Sequence, residues 1–256
     1  YNGINLQQYK LINSQSFFSF SNGFSNNLNY NIRLTRNSVD QLIYPRSGSN
    51  FSLNLKVTPP YSMLDNIDDY DQISDQEKYS WIEYYKWKFK SSWFSAFTEK
   101  LVLNTRFETG ILGAYNKELG VAPFERFYVG GDGMSGMGYQ FDGRELISLR
   151  GYSNNSISPQ TGATIYNKYT AELRYAISLN PSSTVYALSF LEAGNAWSNF
   201  DNFNPFGVKR SVGFGVRIML PMIGMMGLDY GWGLDEIPAR PDANGGQFHF
   251  SIGQQF

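Results

Sequence analysis

The chain contains no cysteine and only one histidine. Without cysteine there is no disulfide framework, no thiolate nucleophile and no cysteine-ligated metal centre. With one histidine, any Ser-His-acid relay would have to use His249. That residue sits between Phe248 and Phe250 in an alternating stretch, where a polar residue facing away from both is the simpler reading. Charge is also scarce: Asp, Glu, Lys and Arg make up 17% of the chain, against about 25% in ordinary globular proteins. The net charge of −1 offers no bulk attraction to nucleic acid. Long apolar runs are missing as well. The most apolar stretch, Val216 to Leu228, is interrupted by Arg217, Pro221, Gly224 and Gly227, so no helical membrane span is expected. No zinc cluster, phosphate-cradling loop or dinucleotide fingerprint is found. No enzyme activity and no cofactor is expected.

Aromatic residues are abundant: 18 Tyr, 20 Phe and 5 Trp. Their placement is most telling at the end of the chain. Phe248, Phe250, Ile252 and Phe256 share one parity; His249, Ser251, Gly253 and Gln255 share the other. Only an extended strand separates residues in this way. An apolar face ending in an aromatic ring suits a strand that meets lipid, with the ring at the membrane interface. Such strands are apolar at alternate positions only, which accounts for a negative mean hydropathy.

Ten alternating segments are expected. The first, Leu6–Phe20, is the least regular, because Phe17 and Phe18 are adjacent. Elsewhere Leu28, Tyr30, Ile32 and Leu34 oppose Asn29, Asn31 and Arg33. Tyr85, Trp87 and Phe89 oppose Lys86, Lys88 and Lys90. Leu173 and Tyr175 oppose Glu172 and Arg174. Met226, Leu228, Tyr230 and Trp232 oppose Gly227, Asp229 and Gly231. Charge gathers on one face, which predicts a solvated lumen, since Lys or Arg facing lipid at mid-bilayer costs about 2–4 kcal/mol. A soluble sandwich also alternates, but it would not put aromatics on one face and charge on the other through so many strands. Turns at 45–48, 98–100 and 180–183 are short; connections 59–80, 113–167, 198–208 and 233–246 are long. Short turns on one rim and long loops on the other are the outer-membrane pattern. Within 65–77, Asp65, Asp68, Asp69, Asp71, Asp75 and Glu77 read as a solvated loop without the spacing of a calcium-binding helix-loop-helix.

The longest connection, 113–167, is not low-complexity. It reads Pro123-Phe124-Glu125-Arg126-Phe127-Tyr128-Val129-Gly130-Gly131, then Arg150-Gly151-Tyr152. Together with the Tyr44-Pro45-Arg46-Ser47-Gly48 turn and the terminal aromatic, this order resembles the BamA family of outer-membrane barrel insertases. The resemblance runs through essentially the whole chain. It implies an all-β transmembrane antiparallel barrel, of which residues 1–256 supply the C-terminal ten strands of sixteen. The first six strands, the periplasmic repeats and a secretion signal would lie upstream.

The resemblance further implies that loop 113–167 folds into the lumen. There Arg150, with Gly151 and Tyr152, would latch onto Glu172 and Glu192; a guanidinium fork matches carboxylates with defined geometry. Tyr152 stands where Phe is common, and its hydroxyl needs a partner. The last strand, 247–256, with Phe248, Phe250, Ile252, Gly253 and Phe256, would form one side of a lateral gate, with Gly253 loosening the seam or curving the strand. The implied partners are outer-membrane lipids, unfolded outer-membrane proteins and accessory assembly proteins, either lipoproteins or surface partners. The implied location is the outer membrane of a Gram-negative bacterium. A translocation barrel of the same superfamily and a passive pore are the alternatives.

Overall fold

The computed structural model describes residues 1–12, 22–65, 67, 69–134, 143–180, 183–221, 224–238 and 240–253. The main sheet is one antiparallel meander of ten strands. In chain order these are β1 (Asn2–Leu11), β2 (Gly23–Asn37), β3 (Ser47–Val57), β4 (Tyr85–Ala96), β5 (Leu101–Gly113), β8 (Ile165–Asn180), β9 (Ser183–Trp197), β10 (Lys209–Leu220), β11 (Gly224–Gly233) and β12 (Gly246–Ile252). Each pairs with its sequence neighbour, and β5 pairs with β8 across the long loop. β1 and β12 lie at the two ends of this open sheet. Apart from a two-stranded pair inside the long loop, no second sheet faces it among the described residues, which removes the sandwich. The two remaining strands, β6 (Phe127–Val129) and β7 (Glu145–Ile147), form a small parallel pair inside the long loop.

The alternation seen in the sequence is the alternation of the two faces. On the convex face, Ile4 pairs with Tyr30, Leu55 with Trp87, Leu173 with Leu103, and Leu228 with Phe250. Large apolar residues there are left open, including Leu34, Trp93, Leu191, Phe214 and Phe248. The opposite face is buried and carries Asn27, Lys86, Lys168, Glu172, Arg174, Glu192, Arg217 and Asp229. A water-soluble protein is arranged the other way round. Grease outside and charge inside match a sheet whose convex face meets lipid. Charges that do share parity with the outer face, such as Lys10, Arg36 and Arg210, fall near strand ends.

Several boundaries differ from expectation. The first strand begins at Asn2 and ends at Leu11; Phe17 and Phe18 lie outside the described residues. β5 runs on to Gly113 and β8 starts at Ile165, so the long connection is 114–164. The turn expected at 45–48 spans 38–46. There the Asp40 side chain accepts from the Arg46 and Ser47 amides (2.8 and 3.1 Å), and Tyr44 tucks under the sheet. The last strand stops at Ile252. Gly253 is a bend at φ 68, its amide still donating to the Met225 carbonyl at 2.7 Å; Phe256 lies outside the described residues. In the acidic segment, Ser74 and Glu77 form a capping box on the single-turn helix α1 (Asp75–Lys78); Asp68 is outside the described residues.

The concave side is filled in three tiers. Near the long-loop rim, Phe124, Phe127, Val129, Ile147, Leu149 and Tyr152 of the loop pack on Tyr9, Tyr84, Leu112 and Tyr166 of the wall. Near the short-turn rim, Tyr44, Phe94, Val102, Tyr186, Leu188 and Met225 form a second apolar cluster. Between them lies a belt of charge.

Candidate functional site

Arg150 stands at the centre of that belt and is fully buried, 0% exposed. A turn brings it there. Gly131 and Leu149 exchange two backbone hydrogen bonds of 3.1 Å, and Gly151 takes φ +84, a conformation that favours glycine. The wall makes room by omission. A Cβ on Gly231 would lie 2.7 Å from the Gly151 nitrogen; glycines at alternate positions of β11 therefore let another backbone approach closely.

Three strands supply the acceptors. The Arg150 guanidinium donates to Glu192 Oε1 at 2.8 Å and to Glu172 Oε1 at 3.0 Å, and its other terminal nitrogen lies 3.4 Å from Asp229 Oδ1. Its backbone N–H donates to Glu192 Oε2 at 2.9 Å. The guanidinium carbon lies 3.6 Å from the ring centre of Phe190, so the cation also stacks on an aromatic face. Burial pushes Arg150 toward its neutral form, but Glu192, Glu172 and Asp229 outweigh this and hold its pKa above the ordinary value.

The carboxylates have further partners. Glu172 accepts from Arg106 (2.9 Å) and twice from Arg174 (2.7 and 3.0 Å). Glu192 lies 3.0 Å from Lys168. Asp229 accepts a two-pronged contact from Arg217 (2.8 and 2.9 Å). Cation and carboxylate thus alternate from β5 to β11, which is how buried charge is tolerated. Arg174 also links the belt to the short-turn rim, because the Tyr44 hydroxyl donates to the Arg174 carbonyl at 3.0 Å.

The neighbours of Arg150 complete the contact. The Gly151 amide donates to His249 Nε2 at 2.8 Å, fastening the loop to β12. The Tyr152 hydroxyl donates to the Arg210 carbonyl at 2.6 Å and accepts from the Asp235 amide at 3.3 Å. Burial raises the Tyr152 pKa to about 12. Of the five residues expected at the latch, Arg150 meets Glu172 and Glu192 directly, while Gly151 and Tyr152 bond to His249 and to the Arg210 carbonyl instead. The residues expected along the last strand do not join them: Phe248, Phe250 and Ile252 point outward and are exposed.

Sequence reasoning missed Asp229, Phe190 and His249. A signal for Asp229 was present: it is a charged residue flanked by Gly227 and Gly231 on the inner face of β11. His249 was placed on the inner face without a partner. Phe190 shares parity with Glu192, and nothing in the pattern distinguishes it from packing.

Known proteins share this architecture. The structure is similar to that of BamA from Haemophilus ducreyi lacking POTRA domains 1–3, with a TM-score of 0.60 and 18% identity over 89% of this chain and 42% of that one. The sequence is 24% identical over 140 residues to the outer membrane protein assembly factor BamA of Neisseria meningitidis serogroup B. That alignment covers 55% of this chain and 13% of the relative, so the chain spans only part of the proteins it matches. Residues 1–256 match the Omp85 superfamily domain throughout, and the chain belongs to the Omp85 superfamily.

Proposed function

We propose that this chain is the C-terminal part of an outer-membrane insertase barrel, one that folds and inserts other β-barrel proteins through a gate beside β12. The observation that carries the reading is the hydrogen bond from Gly151 to His249. It ties the buried latch to the last strand, so the state of the loop and the state of the seam are mechanically linked. In a closed barrel of sixteen strands β12 would meet the first strand, upstream of this chain. Pairing there competes with pairing to an incoming strand, and a free sheet edge templates such a strand through its backbone groups. No nucleotide or covalent step is required.

The substrates would be unfolded outer-membrane proteins, delivered with the help of accessory lipoproteins or surface partners, in the outer membrane of a Gram-negative bacterium. A passive pore is disfavoured by the loop that fills the concave side. The test is a disulfide between β12 and the first strand of the full-length protein. Substrate insertion should stop when the bond forms and resume on reduction. Normal insertion with the seam locked rules the gate out. Polypeptide export without barrel insertion would assign the chain to a translocation barrel of the same superfamily.

A further inference from the structure

The front half of the long loop carries an oddity that the Arg150 latch does not use. Glu125 is non-glycine yet takes φ 64, a conformation that L side chains rarely adopt. It is also buried, at 5% exposure. Strain of this kind persists only where surrounding contacts over-determine it. Four consecutive strands supply them. Tyr9 of β1 donates to Glu125 Oε1 at 3.1 Å, and Asn27 of β2 donates to the same oxygen at 3.2 Å. Lys56 of β3 lies 3.5 Å from Oε2, and Lys86 of β4 lies 2.9 Å from it. Lys86 also donates to the Glu125 carbonyl at 2.7 Å, which is the backbone of the strained residue itself.

A second loop carboxylate reinforces this group. Glu145, opening β7, pairs with Lys86 at 2.6 Å and with Lys88. Flanking rings close it in: Phe124 stacks on Tyr9 with ring centres 4.9 Å apart, and Lys86 lies 4.8 Å from the ring centre of Phe127. The Glu125 amide donates to the Gly143 carbonyl at 2.6 Å, joining the two acidic segments of the loop.

We infer that Glu125 is a positioning residue, the centre of a second, charge-inverted clasp that holds the front of the loop to β1–β4 independently of the Arg150 latch on β8–β12. One clasp offers a loop cation to wall carboxylates; the other offers loop carboxylates to wall ammonium groups. The loop is then a strut across the concave side, fixed at both ends to opposite halves of the sheet. Releasing Arg150 alone leaves it tethered inside. The inference concerns loop placement and holds whatever the barrel handles, so it stands or falls apart from the insertase reading.

Trypsin separates the two halves, because Arg126 lies beside Glu125 and Arg150 lies in the latch, while exposed Lys117 serves as an internal control. The experiment uses the full-length barrel in lipid bilayers, with fragments mapped by mass. Glu125→Gln keeps the shape and removes the charge. It should raise cleavage after Arg126 at least tenfold relative to Lys117 and leave cleavage after Arg150 unchanged. Glu125→Gly relieves the backbone strain but lacks the carboxylate, and it should behave like the Gln variant. Protection of Arg126 in either variant overturns the clasp, and so does equal exposure of both halves. If neither variant matures, Lys56→Gln at the rim of the cluster is read in the same way. A selective rise at Arg126 of about threefold supports the inference, and no selective rise overturns it.

Discussion

The two ends of the loop are held by the same kind of contact with opposite polarity and different solvent access. Around Arg150 the side chains of Glu172, Glu192 and Asp229 are 0–1% exposed. Around Glu125 and Glu145 the central Lys86–Glu125 pair is dry (1% and 7%), but its flanks are wet: Lys56 is 28% exposed, Lys88 25% and Glu145 21%. A cavity of about 430 Å³ opens there, lined by Gln7, Tyr9, Lys56, Arg144 and Glu145 among others. Dry ion pairs are strongly coupled, and breaking one strands its partners, whereas hydrated pairs are screened. The donors differ as well. A guanidinium fork fixes direction, while an ammonium is a rotatable point charge. The latch end is therefore the geometric reference of the loop, and the Glu125 end the more compliant tether.

Substitutions can break this comparison at graded strength. The largest effect belongs to Arg150→Ala, which leaves three buried carboxylates short of a shared cation. It should destabilise the seated latch by about 3–5 kcal/mol, seen as faster amide exchange of residues 147–153 while 122–131 and the bond after Arg126 stay protected. Next is Gly231→Val. Its Cβ would fall 2.7 Å from the Gly151 nitrogen, and the overlap should cost about 1–3 kcal/mol. Slower maturation of the heat-stable barrel is the readout, and normal maturation would show that the loop does not press on β11.

Phe190→Leu is milder. It removes the ring under the guanidinium but keeps the volume apolar, so about 0.5–2 kcal/mol is expected, measured by denaturant unfolding of the barrel in detergent. No change would mean that stacking adds nothing to the carboxylates.

Acid provides the smallest and most selective probe. Burial pushes Glu125 and Glu145 up from the ordinary 4.5, but Lys86 and Lys56 pull Glu125 further down, and Lys86 and Lys88 do the same to Glu145. Tyr9 and Tyr84 also face this cluster. Both folded values lie below the unfolded one. The stabilisation is thus fully present above pH 4.5 and lost as pH falls through the lower folded values. Amide protection of residues 119–130 should be unchanged between pH 7 and pH 5 and fall only on stronger acidification. Loss already at about pH 6 would contradict the assignment.

Much of this fold was legible because a strand alternates with a period of two. Lys86 between Tyr85 and Trp87, or Asp229 between Leu228 and Tyr230, declares its face without any structure. The Arg150-Gly151-Tyr152 motif was legible by resemblance, and Glu172 and Glu192 by lying on inner-facing positions of the next two strands. The Glu125 cluster was not. Tyr9, Asn27, Lys56 and Lys86 come from four strands separated by loops of unequal length, and no local spacing relates them. β6 and β7 were missed because strands of three residues are too short to show an alternation. Among the described residues between them, Gly130, Gly131, Gly133 and Gly143 all take positive φ, a turn signal that does not locate the strands.

The central claim is that the loop lies packed inside the sheet and is held at two points. Amide hydrogen exchange of the full-length protein in lipid bilayers tests it most directly, by reading peptides covering 122–131 and 147–153 beside those of β8 and β9. The account predicts that both loop segments exchange as slowly as the strands. Exchange of either at the rate of an open surface loop would contradict it.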